Sequence, residues 1–154
     1  MEKTNEPNHI FVYGTLLPEV GARASVMASC TPIGRAAVLG KLHDLGSYPG
    51  FKQVDPDNYK EGDEKPTVQG VLFALPENLE HKQMTIRSLD TYEGHPHLFK
   101  RIVVECGLLE DETEATFNTY IYEYQGHVYE HALIKSGDWL ERIGYYENGK
   151  KSAA

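Results

Sequence analysis

A glutamate ends an apolar stripe on a predicted helix. Ile86, Leu89 and Glu93 are three and four residues apart and share one face of the helix that the pattern predicts over Leu79–Glu93. Burial and the negative end of the helix dipole would both raise the pKa of a carboxyl group placed there. A general acid/base that works near neutral pH needs such a pKa. The alternative is a solvated glutamate at a frayed helix end, which is the commoner case.

A glycine follows the first apolar strand. The run over residues 9–16 predicts a strand that gives way to a loop at Tyr13-Gly14-Thr15-Leu16. Without a side chain at Gly14, backbone N–H groups can approach a ligand closely and cradle a carboxylate or an oxyanion. A plain tight turn explains the same pattern, so Gly14 alone does not decide between the two interpretations.

Histidines and cysteines give little support for a metal site. His95 and His97 form an HxH pair, but Pro96 between them predicts a loop, and no third ligand has a suggestive spacing. His127 and His131 flank a predicted turn, and we interpret all four as solvated surface histidines. Two cysteines at positions 30 and 106 lie far apart without a CxxC motif, which indicates ordinary buried thiols.

The elements around these residues predict a strand-rich α/β domain. Residues 33–42 and 67–75 favour strands, and residues 99–106 and 115–124 favour an antiparallel hairpin. Residues 20–29 have loosely helical spacing. We expect a turn at Tyr48-Pro49-Gly50 and an exposed loop over residues 55–65. Gly94 supplies a C-terminal stop for the helix.

Composition limits the partners of the chain. A length of 154 residues with 40% hydrophobic residues predicts one domain over residues 1–154, with a core at about 9–140 and a polar C-terminal tail. The net charge of −8 and the lack of a basic patch argue against nucleic acid and membrane partners. No apolar segment predicts a secretion signal or a transmembrane helix, so we expect a cytoplasmic protein. The residues give no indication of the oligomeric state.

Five segments in chain order resemble motifs of the gamma-glutamylcyclotransferase-like (AIG2-like) family. Residues 11–16 (FVYGTL) are similar to its YG(S/T)L loop, and residues 89–94 (LDTYEG) resemble its catalytic LDxxEG segment. Residues 40–50 (GKLHDLGSYPG) are similar to its GxLxDxGxYPG stretch. Residues 68–73 (VQGVLF) resemble its VxGxLY strand, and residues 136–139 (SGDW) also resemble a family segment.

The resemblance implies a fold, a reaction and a site. Family members are mixed, strand-rich barrels flanked by helices, and they turn gamma-glutamyl compounds into 5-oxoproline and a released amine without a metal or cofactor. By this resemblance, Tyr13, Gly14, Thr15 and Leu16 would wrap the glutamyl group and Glu93 would be the general acid/base. A single carboxylate can take the proton of the attacking α-amine and pass it to the leaving amine.

Two further positions bear on the substrate. Arg101 could pair with the glutamyl α-carboxylate, because a guanidinium matches that planar anion with two hydrogen bonds, although a surface position on a strand is as plausible. Phe99 stands where many family members have a tyrosine, which removes a hydroxyl group that could bind substrate.

Three interpretations of the function remain open from the sequence. The first is a gamma-glutamyl cyclotransferase that releases a small amine or amino acid. The second is a related enzyme that removes a gamma-glutamyl protecting group in a biosynthetic pathway. The third is a non-catalytic module of the same fold that binds a small ligand or a partner. An open cleft that contains Glu93 would favour catalysis, and a filled cleft would favour the module.

Overall fold

The computed structural model describes residues 6–17, 27–111, 113 and 115–144. Within these ranges the chain forms strands, helices and short 3₁₀ turns, and α1 is the one long helix. The strands and α-helices are, in chain order, β1 (His9–Val12), β2 (Thr31–Leu39), β3 (Lys41–Asp44), β4 (Pro49–Lys52), β5 (Thr67–Ala74), α1 (Leu79–Glu93), β6 (Phe99–Leu108), β7 (Thr116–Tyr124) and α2 (Trp139–Arg142).

Five strands close into a barrel in the order β1-β5-β2-β6-β7, because β7 also pairs in parallel with β1 where Ile10 lies opposite Tyr120. Further along the same edge, β7 pairs in parallel with β4 where Phe51 lies opposite Glu123, and β3 lies outside β4. The predicted hairpin of β6 and β7 is confirmed and is antiparallel throughout. The predicted mixed, strand-rich barrel with flanking helices is therefore confirmed.

Successive side chains of a strand pack into two different apolar clusters, because they point to opposite faces of the sheet. Ile10 and Val12 pack into one cluster, which α1 joins through Leu89. Phe11 packs into the other cluster, which also contains Trp139. The side of the barrel that α1 covers is therefore the side on which the end of this helix can meet the ends of the strands.

Two predicted elements differ in detail from the structure. The predicted strand over residues 33–42 is divided into β2 and β3, which Gly40 separates. The turn predicted at Tyr48-Pro49-Gly50 is displaced toward the N-terminus. Tyr48 does belong to the turn, since its carbonyl accepts a hydrogen bond from the Leu45 N–H over 2.9 Å, but Pro49 and Gly50 already begin β4. Proline is tolerated as the first residue of a strand, because the ladder does not need its missing N–H there.

Other predictions are confirmed or lie outside the described residues. Residues 55–65 form a loop apart from the 3₁₀ turn Pro56–Asn58, as predicted. The thiols at positions 30 and 106 are both free and buried, also as predicted. Most of the helical segment predicted over residues 20–29, and the tail beyond residue 144, fall outside the described ranges. Within those ranges no helix is long and apolar enough to cross a membrane.

Candidate active site

Local capping signals fix both ends of α1. The side chain of Asn78 accepts a hydrogen bond from the His81 N–H over 2.9 Å, which satisfies one of the free donors of the first turn. At the other end Gly94 adopts the left-handed conformation (φ 70°), which costs glycine little, and its N–H donates to the Thr91 carbonyl over 3.2 Å. The helix therefore ends in an ordered cap directly after Glu93.

A cavity of about 200 Å³ opens where β1 leaves the edge of β7 and β4 takes its place. It is lined by residues 11–16, 48–49, 92–93, 98–99 and 122. The structure thus brings together two sequence-predicted groups, the loop over residues 13–16 and Glu93. They lie almost 80 positions apart in the chain, and the barrel and α1 hold them at one place.

Glu93 is half-buried in the wall of this cavity. Burial raises the pKa of its carboxyl group from 4.5 to about 7. Among the described residues no hydrogen-bond or ion-pair partner of this carboxyl group is found, and no lysine or arginine of those residues lines the cavity. The interpretation as a frayed, solvated helix-end glutamate therefore does not describe this structure, and Glu93 can both take and release a proton near neutral pH.

Tyr13 lines the cavity, but its hydroxyl group binds the sheet. The hydroxyl donates to the Tyr122 carbonyl over 2.6 Å and accepts from the Phe51 N–H over 3.2 Å. It therefore bridges β7 and β4 at the point where β1 diverges from them. Burial, and after it the nearby charge of Glu93, raise the pKa of Tyr13. Because the only proton of this hydroxyl group is already donated to the Tyr122 carbonyl, the ring and the backbone of Tyr13 are the parts that can contact a ligand.

The rest of the loop is fixed by contacts to two neighbouring segments. The Thr15 and Tyr92 hydroxyl groups lie 2.9 Å apart and are hydrogen-bonded, which ties the loop to the last turn of α1. A Cβ atom added at Gly14 would lie 2.8 Å from Cγ of Pro49, another residue of the cavity wall. From the sequence we expect the close neighbour of Gly14 to be a ligand, whereas in the structure that neighbour is Pro49.

The structure does not bring Arg101 to the cavity wall. Its Nε lies 3.4 Å from Oδ1 of Asp90, and its guanidinium group stacks over the Tyr120 ring at 4.9 Å. To reach a substrate carboxylate, Arg101 would have to leave Asp90, so its predicted role remains a prediction. Phe99 does line the cavity, with its ring packed between Tyr48 and Tyr124, and no hydroxyl group is present at that position.

The comparisons with known proteins agree with this geometry. Residues 10–141 match the model of the family described as gamma-glutamyl cyclotransferase, AIG2-like. The chain belongs to this family. It is 30% identical over 143 residues to a Vibrio cholerae protein that bears the provisional name gamma-glutamylcyclotransferase, covering 87% of this chain and 96% of that one.

Solved structures of other proteins share the fold of this AIG2-like chain. A mouse AIG2-like protein superimposes with a TM-score of 0.63 at 21% identity, over 87% of this chain and 88% of that one. A protein from Pyrococcus horikoshii superimposes with a TM-score of 0.59 at 16% identity, over 90% and 96% of the two chains. At sequence identities this low, the structural similarity supports the assignment of the fold and nothing further.

Several residues of this cavity were not predicted from the sequence, including Tyr122, Tyr92 and Leu98. Tyr92 lies inside the LDxxEG segment, and its position one residue before Glu93 is the signal that could have revealed it. Tyr122 gives no local signal, because Tyr120 and Tyr124 show the same alternation along β7. Only the pairing of β7 with both β1 and β4 singles it out.

The side chains of three of the four histidines considered above contact other residues of the chain. His95 Nδ1 accepts a hydrogen bond from the Arg101 backbone N–H over 3.0 Å. His127 and His131 both pack against the ring of Tyr129. Within the part of the chain that the structure describes, no three histidine, cysteine or acidic side chains form a group that could hold a metal ion.

Proposed function

We propose that this protein is a gamma-glutamyl cyclotransferase that converts a gamma-glutamyl compound into 5-oxoproline and a free amine or amino acid. The observation that carries the proposal is that Glu93, a half-buried residue whose carboxyl group has a pKa near 7, lines the same cavity as the loop over residues 13–16. Membership of the AIG2-like family supports this reaction class. The proposed substrate is a small molecule, and the proposed chemistry needs no metal or cofactor.

In the proposed reaction the nucleophile belongs to the substrate. The α-amine reacts in its neutral form: it attacks the γ-carbonyl carbon and gives one proton to Glu93, which forms the C–N bond of the five-membered ring and leaves one hydrogen on the ring nitrogen. The γ-amide C–N bond then breaks, and Glu93 returns the proton to the leaving nitrogen. One proton is taken and one is given, so the carboxylate is regenerated in each cycle.

The cavity supports this reaction in two further ways. Neutral donors of the described wall, such as the Thr15 hydroxyl group and the backbone of the 13–16 loop, can bind the substrate α-carboxylate. Much of the wall is apolar and includes Leu16 and Phe99, so a substrate bound there is in contact with less water than in bulk solvent. A hydroxyl group or backbone dipole acts more strongly in such a water-poor site than in bulk solvent.

The experiment measures 5-oxoproline release from a panel of gamma-glutamyl amines, gamma-glutamyl amino acids and glutathione. We expect the wild type to release 5-oxoproline from at least one class, with or without a chelator. Glu93→Gln should lower turnover roughly 10²–10⁴-fold, the usual worth of general acid–base catalysis. Glu80→Gln is the matched control, because Glu80 is exposed in the first turn of the same helix.

The outcomes separate the interpretations. A folded and fully active Glu93→Gln variant would exclude the proposed role of Glu93. A wild-type protein that binds gamma-glutamyl compounds without releasing 5-oxoproline would point instead to the non-catalytic module. Loss of activity with a chelator, restored by a divalent ion, would contradict the metal-free chemistry.

A further inference from the structure

A chain of side-chain contacts runs from the cavity wall into α1 and β6. The Tyr122 hydroxyl group donates to Asp90 Oδ1 over 2.7 Å, and Arg101 Nε approaches the same oxygen at 3.4 Å. Tyr122 lines the cavity, whereas Asp90 and Arg101 are not among the residues that line it. The ion pair is therefore placed to act on the cavity through Tyr122.

These contacts determine what the Tyr122 oxygen can offer a ligand. A phenol has one proton, and here the proton is given to a carboxylate, so the oxygen is left with its lone pairs and acts as an acceptor. Burial, and after it the hydrogen bond to Asp90, raise the pKa of Tyr122, which keeps the hydroxyl group protonated in this arrangement. A ligand atom that meets this oxygen must therefore be a hydrogen-bond donor.

A gamma-glutamyl amide has two donors, the α-amine and the γ-amide N–H, whereas its α-carboxylate and γ-carbonyl oxygens accept. Of the two donors, the α-amine is the one that must lie beside Glu93 when the ring begins to form. Asp90 and Glu93 are three residues apart on α1 and so project from the same side of the helix. The charge of Glu93 also contributes to the raised pKa of Tyr122, which agrees with the two groups being close. Tyr122, whose oxygen is an acceptor, and Glu93, whose carboxyl group can take a proton, thus line the same cavity.

We propose that Tyr122 accepts a hydrogen bond from the α-amine of the substrate, and that Asp90 and Arg101 are positioning residues that fix the Tyr122 hydroxyl as an acceptor. This inference rests on the proposed function and assigns the place of the nucleophile within it. With one N–H held by Tyr122 and a second proton passed to Glu93, the nitrogen lone pair is free to face the γ-carbonyl carbon. No covalent bond changes at Tyr122.

The test compares two ligands that differ only at the α-amine. In a Glu93→Gln background, which separates binding from turnover, the dissociation constants of a gamma-glutamyl amide and of the matching glutaryl amide are measured by calorimetry. Adding Tyr122→Phe should weaken the gamma-glutamyl amide roughly 10- to 100-fold, the range for a lost hydrogen bond to a charged group. The glutaryl amide, which lacks the amine, should bind within about twofold of its original affinity.

Tyr124→Phe is the matched control, because Tyr124 lies two residues along the same strand and does not line the cavity. It should change neither affinity. Asp90→Asn provides a second test that does not alter the cavity wall. The asparagine oxygen still accepts the Tyr122 proton, but as a weaker neutral partner, so we expect a smaller weakening that again affects the gamma-glutamyl amide alone.

The possible failures are distinguishable. If the wild type neither releases 5-oxoproline from the gamma-glutamyl amide nor binds it, the proposed function fails and this inference fails with it. If the wild type is active but the Glu93→Gln protein does not bind, the same comparison is made in the wild-type background, as the KM of the gamma-glutamyl amide and the inhibition constant of the glutaryl amide. If the gamma-glutamyl amide binds, and Tyr122→Phe weakens both ligands equally or neither of them, the role of Tyr122 is overturned while the proposed function stands. Equal weakening of both ligands by Asp90→Asn would likewise show that Asp90 supports the fold rather than recognition of the amine.

Discussion

Glu93 carries a free-energy cost that depends on pH. Its carboxyl group has a pKa of about 7 in the folded protein, compared with 4.5 for the unperturbed group, because burial disfavours its charge. Between these two values the folded chain holds a proton that the unfolded chain releases. The contribution of this group to the unfolding free energy is therefore most favourable at low pH. It decreases as the pH rises from about 4.5 to 7 and does not change further above that range.

This cost predicts how Glu93→Gln changes stability. The neutral glutamine does not titrate. The unfolding free energy of the variant should therefore equal that of the wild type near pH 4.5 and be higher than that of the wild type at pH 8. The difference between the pKa of Glu93 in the folded protein and that of the unperturbed group sets an upper limit of about 3 kcal/mol on the gain in unfolding free energy. Urea unfolding at both pH values measures the difference, with Glu80→Gln as the control. An equal gain at both pH values would contradict burial of the Glu93 charge.

Tyr13 shows that one residue can belong to both the site and the fold. The family resemblance assigns it to the substrate, and it does line the cavity. Its hydroxyl group, however, joins Tyr122 of β7 to Phe51 of β4. The sequence could not indicate this second role, because it depends on the pairing of three strands that are distant in the chain.

At the scale of elements, α1 is the element that local chemistry predicts best. Its observed bounds are the predicted ones, because Asn78 and Gly94 cap its two ends and because its apolar spacing is helical. β4 was mispredicted, since its sequence Pro-Gly-Phe-Lys has turn chemistry and becomes a strand only through pairing with β3 and β7. The position of Arg101 behind the wall could not be predicted either, because it depends on the packing of β6 against α1.

The N-cap of α1 gives a prediction for this element. Asn78→Ala removes the acceptor of the His81 N–H and should lower the unfolding free energy by about 1 kcal/mol. Turnover of the folded variant should stay within about twofold of the wild type, because the cap lies at the end of α1 opposite to Glu93. Chemical denaturation and the 5-oxoproline assay measure the two effects. Asn118→Ala, at an exposed position of β7, is the control and should be neutral.

At the scale of the whole molecule, closure of the barrel depends on a close approach of β1 to β5. A Cβ atom added at Gly70 of β5 would overlap the Val12 carbonyl oxygen and would lie 2.8 Å from Cζ of Phe11. Both of these neighbours belong to the strand that leads into the 13–16 loop. Gly70 therefore links the geometry of the barrel to the position of the site.

Gly70→Ala should accordingly destabilise the protein. Overpacking of this kind costs about 1–3 kcal/mol, which corresponds to a fall in Tm of roughly 3–10 °C for a chain of this size. Calorimetry measures the change. Gly107→Ala is the control, because the nearest atom to its added Cβ is 3.9 Å away, and it should alter Tm by no more than about 2 °C. Equal effects of the two substitutions would contradict the close approach at Gly70.

The Tyr13 bridge also makes one backbone amide a built-in reporter of the cavity. The Phe51 N–H donates to the same hydroxyl group whose ring forms part of the cavity wall, and Phe51 itself does not line the cavity. A ligand that presses on the Tyr13 ring will change the electronic environment of this amide without touching it. We expect the Phe51 resonance in a ¹⁵N–¹H NMR spectrum to shift as a gamma-glutamyl amide is added, which would allow occupancy to be followed without a label on the ligand.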